Sequence, residues 1–309
     1  MELRYDSLAS LSSAAEESGV PLSALVLHQQ ALQMEQSEEA LYETMRASYE
    51  VMRSAVHQGL QPGVRSASGL TGGSAFRLNE HLRHHQSLTG GLLPTALTKA
   101  LAVSEWNAAM GRIVASPTAG SCGILPAALL TIQEARGLED RTCVMSLFTA
   151  SAVGMVIARN ASISGAEGGC QAECGTASAM AAAALCELCG GTPRQGEHAV
   201  AIALKNILGL VCDPVAGLVE IPCEKRNASG VANAFVAAEL ALAGVESAIP
   251  ADEVVLAMKR VGDSLPAALR ETAEGGLAAT PTAQSLYQMV FGGQAPAGSG
   301  CAGCRACRA

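Results

Sequence analysis

The run TASAMAAAALCELC, residues 176–189, limits the fold more than any other stretch of the chain. It is dominated by alanine, the strongest helix former, and contains neither glycine nor proline. Small side chains of this kind suit helices packed closely together. The rest of the chain supplies matching partners: 49% of its 309 residues are hydrophobic but only 3% are aromatic, so the core must be made of Ala, Leu, Val and Ile. A chain of this length can bury a sizeable core of that composition.

Helical spacing recurs on both sides of this run. Leu25, Leu27, Leu32, Met34, Leu41, Met45, Tyr49 and Met52 fall near a helical period. LTKALAVSEWNAAMGRIVA, ILPAALLTIQEARG (with Gly137 placed as a C-terminal cap), CVMSLFTASAVGMVIARNA and GEHAVAIALKNILGLV continue the pattern, and residues 230–272 read as two more helices. Between them lie aperiodic stretches rich in glycine, serine and proline: QPGVRSASGLTGGS (61–74), SPTAGSCG (116–123), SISGAEGGC (162–170) and CDPVAG (212–217). The expected fold is all-α, a helical domain whose Gly-rich loops converge at one end. GLVEIPC (217–223) is the best candidate for a short strand. No repeat or internal boundary is visible, so 1–285 reads as one helical domain and 286–309 as a flexible, Cys-containing tail.

A formal charge of -8 leaves no broad basic field for a phosphate backbone, so nucleic acid is not an expected partner. The N-terminal residues lack a basic start followed by an apolar signal core, and no window offers about 18 unbroken apolar residues. The expectation is a cytoplasmic chain with no membrane association. In a reducing compartment, eleven irregularly spaced cysteines are not a disulfide framework. Metal ligation, redox chemistry and inert burial remain open for them.

Three cysteines stand at transitions between helix and loop, beside glycine or proline: Cys170 in EGGCQ, Cys212 in GLVCDPVAG and Cys223 in VEIPCEKRNASG. Glycine lets backbone approach a bulky inorganic group, and proline removes a donor that would need a partner. Iron-sulfur clusters need such surroundings, and three thiolates would leave one iron open as a Lewis acid. The intervals between these cysteines match no compact metal motif, and on local pattern alone buried inert thiols are the commoner explanation. Cys186 and Cys189, with Cys170 and Cys174, form a conceivable four-thiolate zinc site, although the CxxC lies within a helical pattern. Cys122 and Cys143 adjoin apolar runs and read as packing residues, and Cys301, Cys304 and Cys307 have a metal-like spacing in the tail.

Taken together, SGLTGG, NAAMGRIVASPTAGSCGILP, GAEGGCQAE, ALKNILGLVCDPVAGLVEIPCEKRNASG and GGLAATPT are highly specific. Over about residues 40–280 the chain resembles the iron-sulfur-dependent L-serine dehydratases (L-serine ammonia-lyases), in particular the α chain of their two-chain form. The resemblance implies an all-helical catalytic domain and an oxygen-sensitive [4Fe-4S] cluster on three thiolates, which fall on Cys170, Cys212 and Cys223. It further implies conversion of L-serine to pyruvate and ammonia, with the open iron activating the departing hydroxyl. Substrate contacts are expected from Ser68, Thr71, Gly72 and Gly73 in one loop and from Thr118, Gly120 and Ser121 in another, with Asn227 beside them. Simple turns between helices would have the same composition.

The resemblance has gaps. Single-chain members carry a further domain with an SSHT-type segment whose histidine is a candidate acid-base group, and that segment is absent here. A separate β subunit would then complete the site. His198, ahead of the helix leading to Cys212, is the best placed local histidine, while His81, His84 and His85 read as solvent-facing. Some family members cap the open iron with a terminal cysteine, a role available to Cys301, Cys304 or Cys307. Competing readings are a pyridoxal-phosphate dehydratase, for which none of Lys99, Lys205, Lys225 and Lys259 stands in a cofactor motif, a cysteine desulfidase-like lyase, and a non-catalytic metal-binding regulatory chain.

Overall fold

The computed structural model describes residues 6–292. In chain order its helices are α1 (Leu8–Ser18), α2 (Leu22–Gln33), α3 (Glu38–Gly59), α4 (Ser74–His84), α5 (Leu92–Ala108), α6 (Ile124–Arg136), α7 (Asp140–Asn160), α8 (Gly165–Gly168), α9 (Cys170–Leu188), α10 (Pro193–Lys205), α11 (Cys223–Leu242), α12 (Ala251–Ser264) and α13 (Pro281–Phe291). The all-α expectation holds. Helix α13 runs through the boundary expected at residue 285.

The alanine-rich run forms most of α9, the central helix. It is enclosed by α6, α7, α10, α11 and α12, and every one of its residues except Glu173 and Glu187 is buried. A helix without a polar face is stable only when covered on all sides. Local signals set the ends of its neighbours. Thr192 and Gln195 make a reciprocal capping box at the start of α10, with Pro193 in the first turn. Gly137, left-handed at φ 64°, ends α6 by donating its N–H to the Gln133 carbonyl.

Helix α7 is long and apolar enough by composition to cross a membrane. Here it is a core helix, with Val144, Leu147, Phe148, Val153 and Ile157 buried against α2, α6 and α9.

Among the described residues there is no strand, and GLVEIPC corrects the sequence expectation. The Val215 N–H donates to the Ile221 carbonyl at 2.8 Å, folding the segment back on itself. Pro222 has no N–H for a ladder. The extended pairing that does occur among the described residues is an isolated parallel bridge between Cys212 and Arg270.

Helix α9 also starts earlier than the glycines of EGGCQAECG suggest. Gly169, at φ 76°, forms the N-cap, and Cys170 is already the first helical residue. The loops therefore gather at the N-terminal ends of α9 and α11. The Gln171 N–H donates to the Leu210 carbonyl at 2.9 Å, and the Leu277 N–H to Asp213 Oδ2 at 2.8 Å.

Candidate functional site

Cys170 opens α9, Cys223 opens α11, and Cys212 lies in the segment between α10 and α11. Two backbone bonds fix Cys212: its N–H donates to the Leu269 carbonyl at 2.9 Å, and its own carbonyl accepts from the Glu271 N–H at 2.8 Å. All three side chains are buried. Gly165 shields the Cys212 sulfur at close range, since a Cβ there would stand 2.9 Å from Sγ.

The three thiols lie within electrostatic reach of one another. Burial, and then the charge of Cys170, push the Cys212 and Cys223 thiols far above their ordinary range, with Glu173 and Glu271 adding to the effect. Cys170 moves the other way. Its 3.3 Å sulfur-sulfur hydrogen bond to Cys174, one turn along α9, lowers it against burial, and the Arg226 guanidinium helps.

Three soft donors drawn from three elements and held in a water-poor recess need a cationic partner before all can ionise. That donor chemistry fits a thiolate-bound iron-sulfur cluster. Among the described residues, no three His, Cys, Asp or Glu side chains are arranged around a single metal ion. The four-thiolate zinc alternative does not survive. Cys186 sits 16 residues along α9 from Cys170, about 24 Å at the helical rise, and its thiol faces the carbonyls of Gln195 and Ala238. Burial pushes Cys186 and Cys122 up to about 12, and Cys143 to about 11, as packing thiols should behave.

Charged groups complete the recess. Arg226, on the first turn of α11, reaches Asp213 Oδ1 at 2.8 Å and the Val211 carbonyl at 2.8 Å, tying the Cys212 segment to the Cys223 helix. Glu173, one turn after Cys170, is raised by burial against a hydrogen bond from Thr118, and Glu271 raises it further. Burial also raises Glu271, whose carboxylate accepts the Ala166 N–H.

The 116–123 loop joins this site. Thr118 Oγ1 donates to Glu173 Oε1 and lies 3.1 Å from Ser121 Oγ, while Gly120 packs directly against the Glu173 carboxyl. Asn227 is fully buried, and its amide is spent within the protein. Its Oδ1 accepts from the Gly123 N–H at 2.8 Å, and its Nδ2 donates to the carbonyls of Gly120 at 2.7 Å and Cys223 at 2.9 Å. It locks the loop to the start of α11 and offers no free group to a substrate.

The 68–73 loop meets the same helix start from another side. Ser68 Oγ donates to Glu220 at 2.9 Å, and Thr71 Oγ1 lies 3.0 Å from Glu220 and 2.5 Å from Glu224. One hydroxyl proton cannot serve both carboxylates. Burial raises Glu224 against its hydrogen bonds from Thr71 and from Lys225, whose Nζ donates to Oε2 at 3.1 Å. Gly72 and Gly73 carry positive φ values of 134° and 72°, leading into α4, whose first N–H groups are capped by Glu105 at 2.6 and 3.2 Å.

His198 lies outside this cluster, with its Nδ1 accepting the Ser247 N–H at 3.2 Å. His81, His84 and His85 are exposed, as their polar setting implied. Cys301, Cys304 and Cys307 lie outside the described residues.

Sequence reasoning passed over Glu173, Glu271, Asp213, Glu220 and Glu224. Glu173 was discoverable, because three residues after Cys170 on a helix is the same face. Glu271 comes from a segment that no local pattern links to Cys212.

The family described as serine dehydratase alpha chain matches residues 17–278. A protein of Bacillus subtilis (strain 168) named "Probable L-serine dehydratase, alpha chain" is 50% identical over 289 residues, covering 94% of this chain and 96% of that one. The "L-serine dehydratase, alpha chain" of Peptoniphilus asaccharolyticus is 47% identical over 270 residues, 87% of this chain and 92% of its own. The "L-serine dehydratase" of Streptomyces coelicolor is 39% identical over 269 residues, which are 85% of this chain but 58% of that longer one. With a match to most of its length, and with the motif cysteines gathered at one end of a helical core, the chain belongs to the serine dehydratase alpha chain family.

Proposed function

We propose that this chain is the α chain of an L-serine dehydratase, a lyase that converts L-serine to pyruvate and ammonia. In this reading Cys170, Cys212 and Cys223 hold a [4Fe-4S] cluster and a separate β chain completes the catalytic site. The observation that carries it is the meeting of three buried thiols, from α9, α11 and the segment between α10 and α11, beside Glu173 and Arg226. The names of the Bacillus and Peptoniphilus relatives and the greater length of the Streptomyces one support the division into two chains.

When bound, a cluster with three protein thiolates leaves one iron open to act as a Lewis acid on a substrate oxygen. The chain's own residues supply the setting. Arg226 and Asp213 fix the spacing of the Cys212 and Cys223 elements, and Asn227 holds the 118–121 loop over Cys223. Hydroxyls of Thr118 and Ser121 border the recess where serine's polar groups would lie. Loss of the α-proton and of the β-hydroxyl gives aminoacrylate, which tautomerises to an imine and hydrolyses to pyruvate and ammonia. The described histidines are not at the recess, so the α-proton acceptor is assigned to the β chain. In this reading the chain acts in the cytoplasm, where cysteines stay reduced and able to hold a cluster.

The test is purification without oxygen, with and without a co-expressed β chain, followed by the visible spectrum and an assay of pyruvate from L-serine. A brown protein that makes pyruvate supports the reading. A colourless, zinc-containing, inactive protein in both preparations overturns it and favours a regulatory chain.

A further inference from the structure

Helix α13 carries no charged residue, and its apolar side chains fall at helical spacing: Ala283, Leu286, Tyr287, Val290 and Phe291 stand at i, i+3, i+4, i+7 and i+8. Local signals specify the helix well. Thr280 Oγ1 accepts the Ala283 N–H at 3.3 Å at its start, and left-handed Gly292 closes its end. A stripe with that spacing belongs against a core, yet Ala283 is its one buried member. Leu286, Tyr287, Val290 and Phe291 are half-buried, Met289 beside them is 73% exposed, and the Tyr287 and Phe291 rings lie 4.9 Å apart. The helix contacts the Val215–Gly217 and Gly276–Ala279 turns, which cover the stripe fully at Ala283 alone, and Leu277 in the second turn is itself 44% exposed. Isolated helices shorter than about 12–15 residues are marginal in water, so a helix of 11 residues needs tertiary cover.

The described residues leave four of the five stripe members partly open. Residues 293–309, which follow the helix in sequence, contain no Leu, Ile, Val, Met, Phe, Tyr or Trp with which to cover an apolar face. The position of α13 points to a different occupant. The Gly276–Ala279 turn is tied to the residue after Cys212 through the Leu277 N–H on Asp213 Oδ2 at 2.8 Å, and the Val215–Gly217 turn starts three residues beyond Cys212. The stripe therefore stands on two turns that border the thiol recess, the region a β chain has to reach.

We infer that α13 is the docking helix for the β chain, laying its stripe into an apolar groove of that chain. This rests on the two-chain reading and adds to it the surface that holds the second chain. Helices that dock in this way are read through anchors at i, i+3, i+4 and i+7. With no charge on α13, the groove it fits is uncharged, because an unpaired charge buried against it would cost more than the contact gains. Seated there, the β chain is held beside the Cys212 segment.

The double variant Leu286→Ala, Phe291→Ala shortens two anchors without adding charge. Calorimetric titration of the full α chain with purified β chain, without oxygen, is expected to show Kd raised about 10²-fold. The free variant should keep the wild-type cluster absorbance and melting temperature, because its anchors are not packed in the free chain. Val236→Asp, at a half-exposed apolar position on α11, is the control and should leave Kd unchanged. An unchanged Kd in the double variant, or an equal loss in the control, overturns the proposal. Loss of self-association with normal β binding would assign the face to a second copy of this chain and overturn it as well. Should the double variant misfold, p-benzoylphenylalanine in place of the exposed Met289 decides: a crosslink to the β chain is expected, and crosslinks confined to the α chain refute the docking. Failure of the two-chain reading would look different, since the wild-type chains would then not bind each other or the α chain alone would make pyruvate as fast as the mixture.

Discussion

The two ends of α9 carry similar cysteine pairs in different company. At the start, Cys170, Cys174 and Glu173 of α9 meet Cys212 from the α10–α11 segment and Cys223 and Arg226 from the first turn of α11. At the far end, Cys186 and Cys189 meet the starts and ends of neighbouring helices, and the Cys186 thiol faces backbone carbonyls. The far pair has the spacing usually associated with metal, and the near pair does not. In the proposed reading, ligand character follows from the α10–α11 segment and the start of α11 bringing a second and third thiol to the start of α9, and not from the interval between two cysteines on one helix.

Substitutions at the two ends should separate them. The largest effect is expected from Cys170→Ser, Cys212→Ser or Cys223→Ser. Each should strip the chain of nearly all iron and abolish serine turnover, whereas Cys186→Ser should change neither; metal analysis of anaerobic preparations checks this. Gly120→Ala comes next. Its Cβ would collide with the Glu173 carboxyl and shift the 118–121 loop with its Thr118 and Ser121 hydroxyls, and a displacement of that order lowers turnover about 10²-fold while iron content stays at the wild-type level.

Much of this comparison was legible in the sequence. The alanine-rich run demanded a central helix, and the glycine-rich segments marked where helices would stop. Gly137 behaved as a cap because an αL residue is what ends α6. Two positions misled for physical reasons. GLVEIPC has β-branched residues but no partner strand, and it closes on itself through Val215 and Ile221. EGGC reads as a loop, yet two glycines are enough for a cap, so the helix begins at Cys170. Asn227, expected beside the substrate loops, is buried among four polar neighbours and clamps the 118–121 loop to α11. The approach of residues 269–271 to Cys212 is a tertiary contact across nearly sixty residues, which local periodicity cannot report.

Smaller effects sharpen the contrast. Asn227→Ala leaves the Gly123 N–H and two carbonyls without their side-chain partner, so it should cost about 2–3 kcal/mol of stability. Thermal denaturation of the cluster-free chain measures this, and an unchanged midpoint would refute the clamp. Cys186→Val and Cys174→Val should each cost about 1 kcal/mol or less, as swaps of similar volume in a packed core. Cys174→Val tests whether the near end needs its extra thiol; the expected result is full iron content, and a drop would make Cys174 a participant.

The central claim is that the three motif cysteines, and not the CxxC, hold an iron-sulfur cluster. The most direct measurement is iron and acid-labile sulfide per chain in oxygen-free wild type, Cys212→Ser and Cys186→Ser. About four irons and four sulfides are expected in the wild type and in Cys186→Ser, with almost none in Cys212→Ser. Wild-type protein carrying zinc in place of iron, or Cys212→Ser retaining its full cluster, would contradict the account.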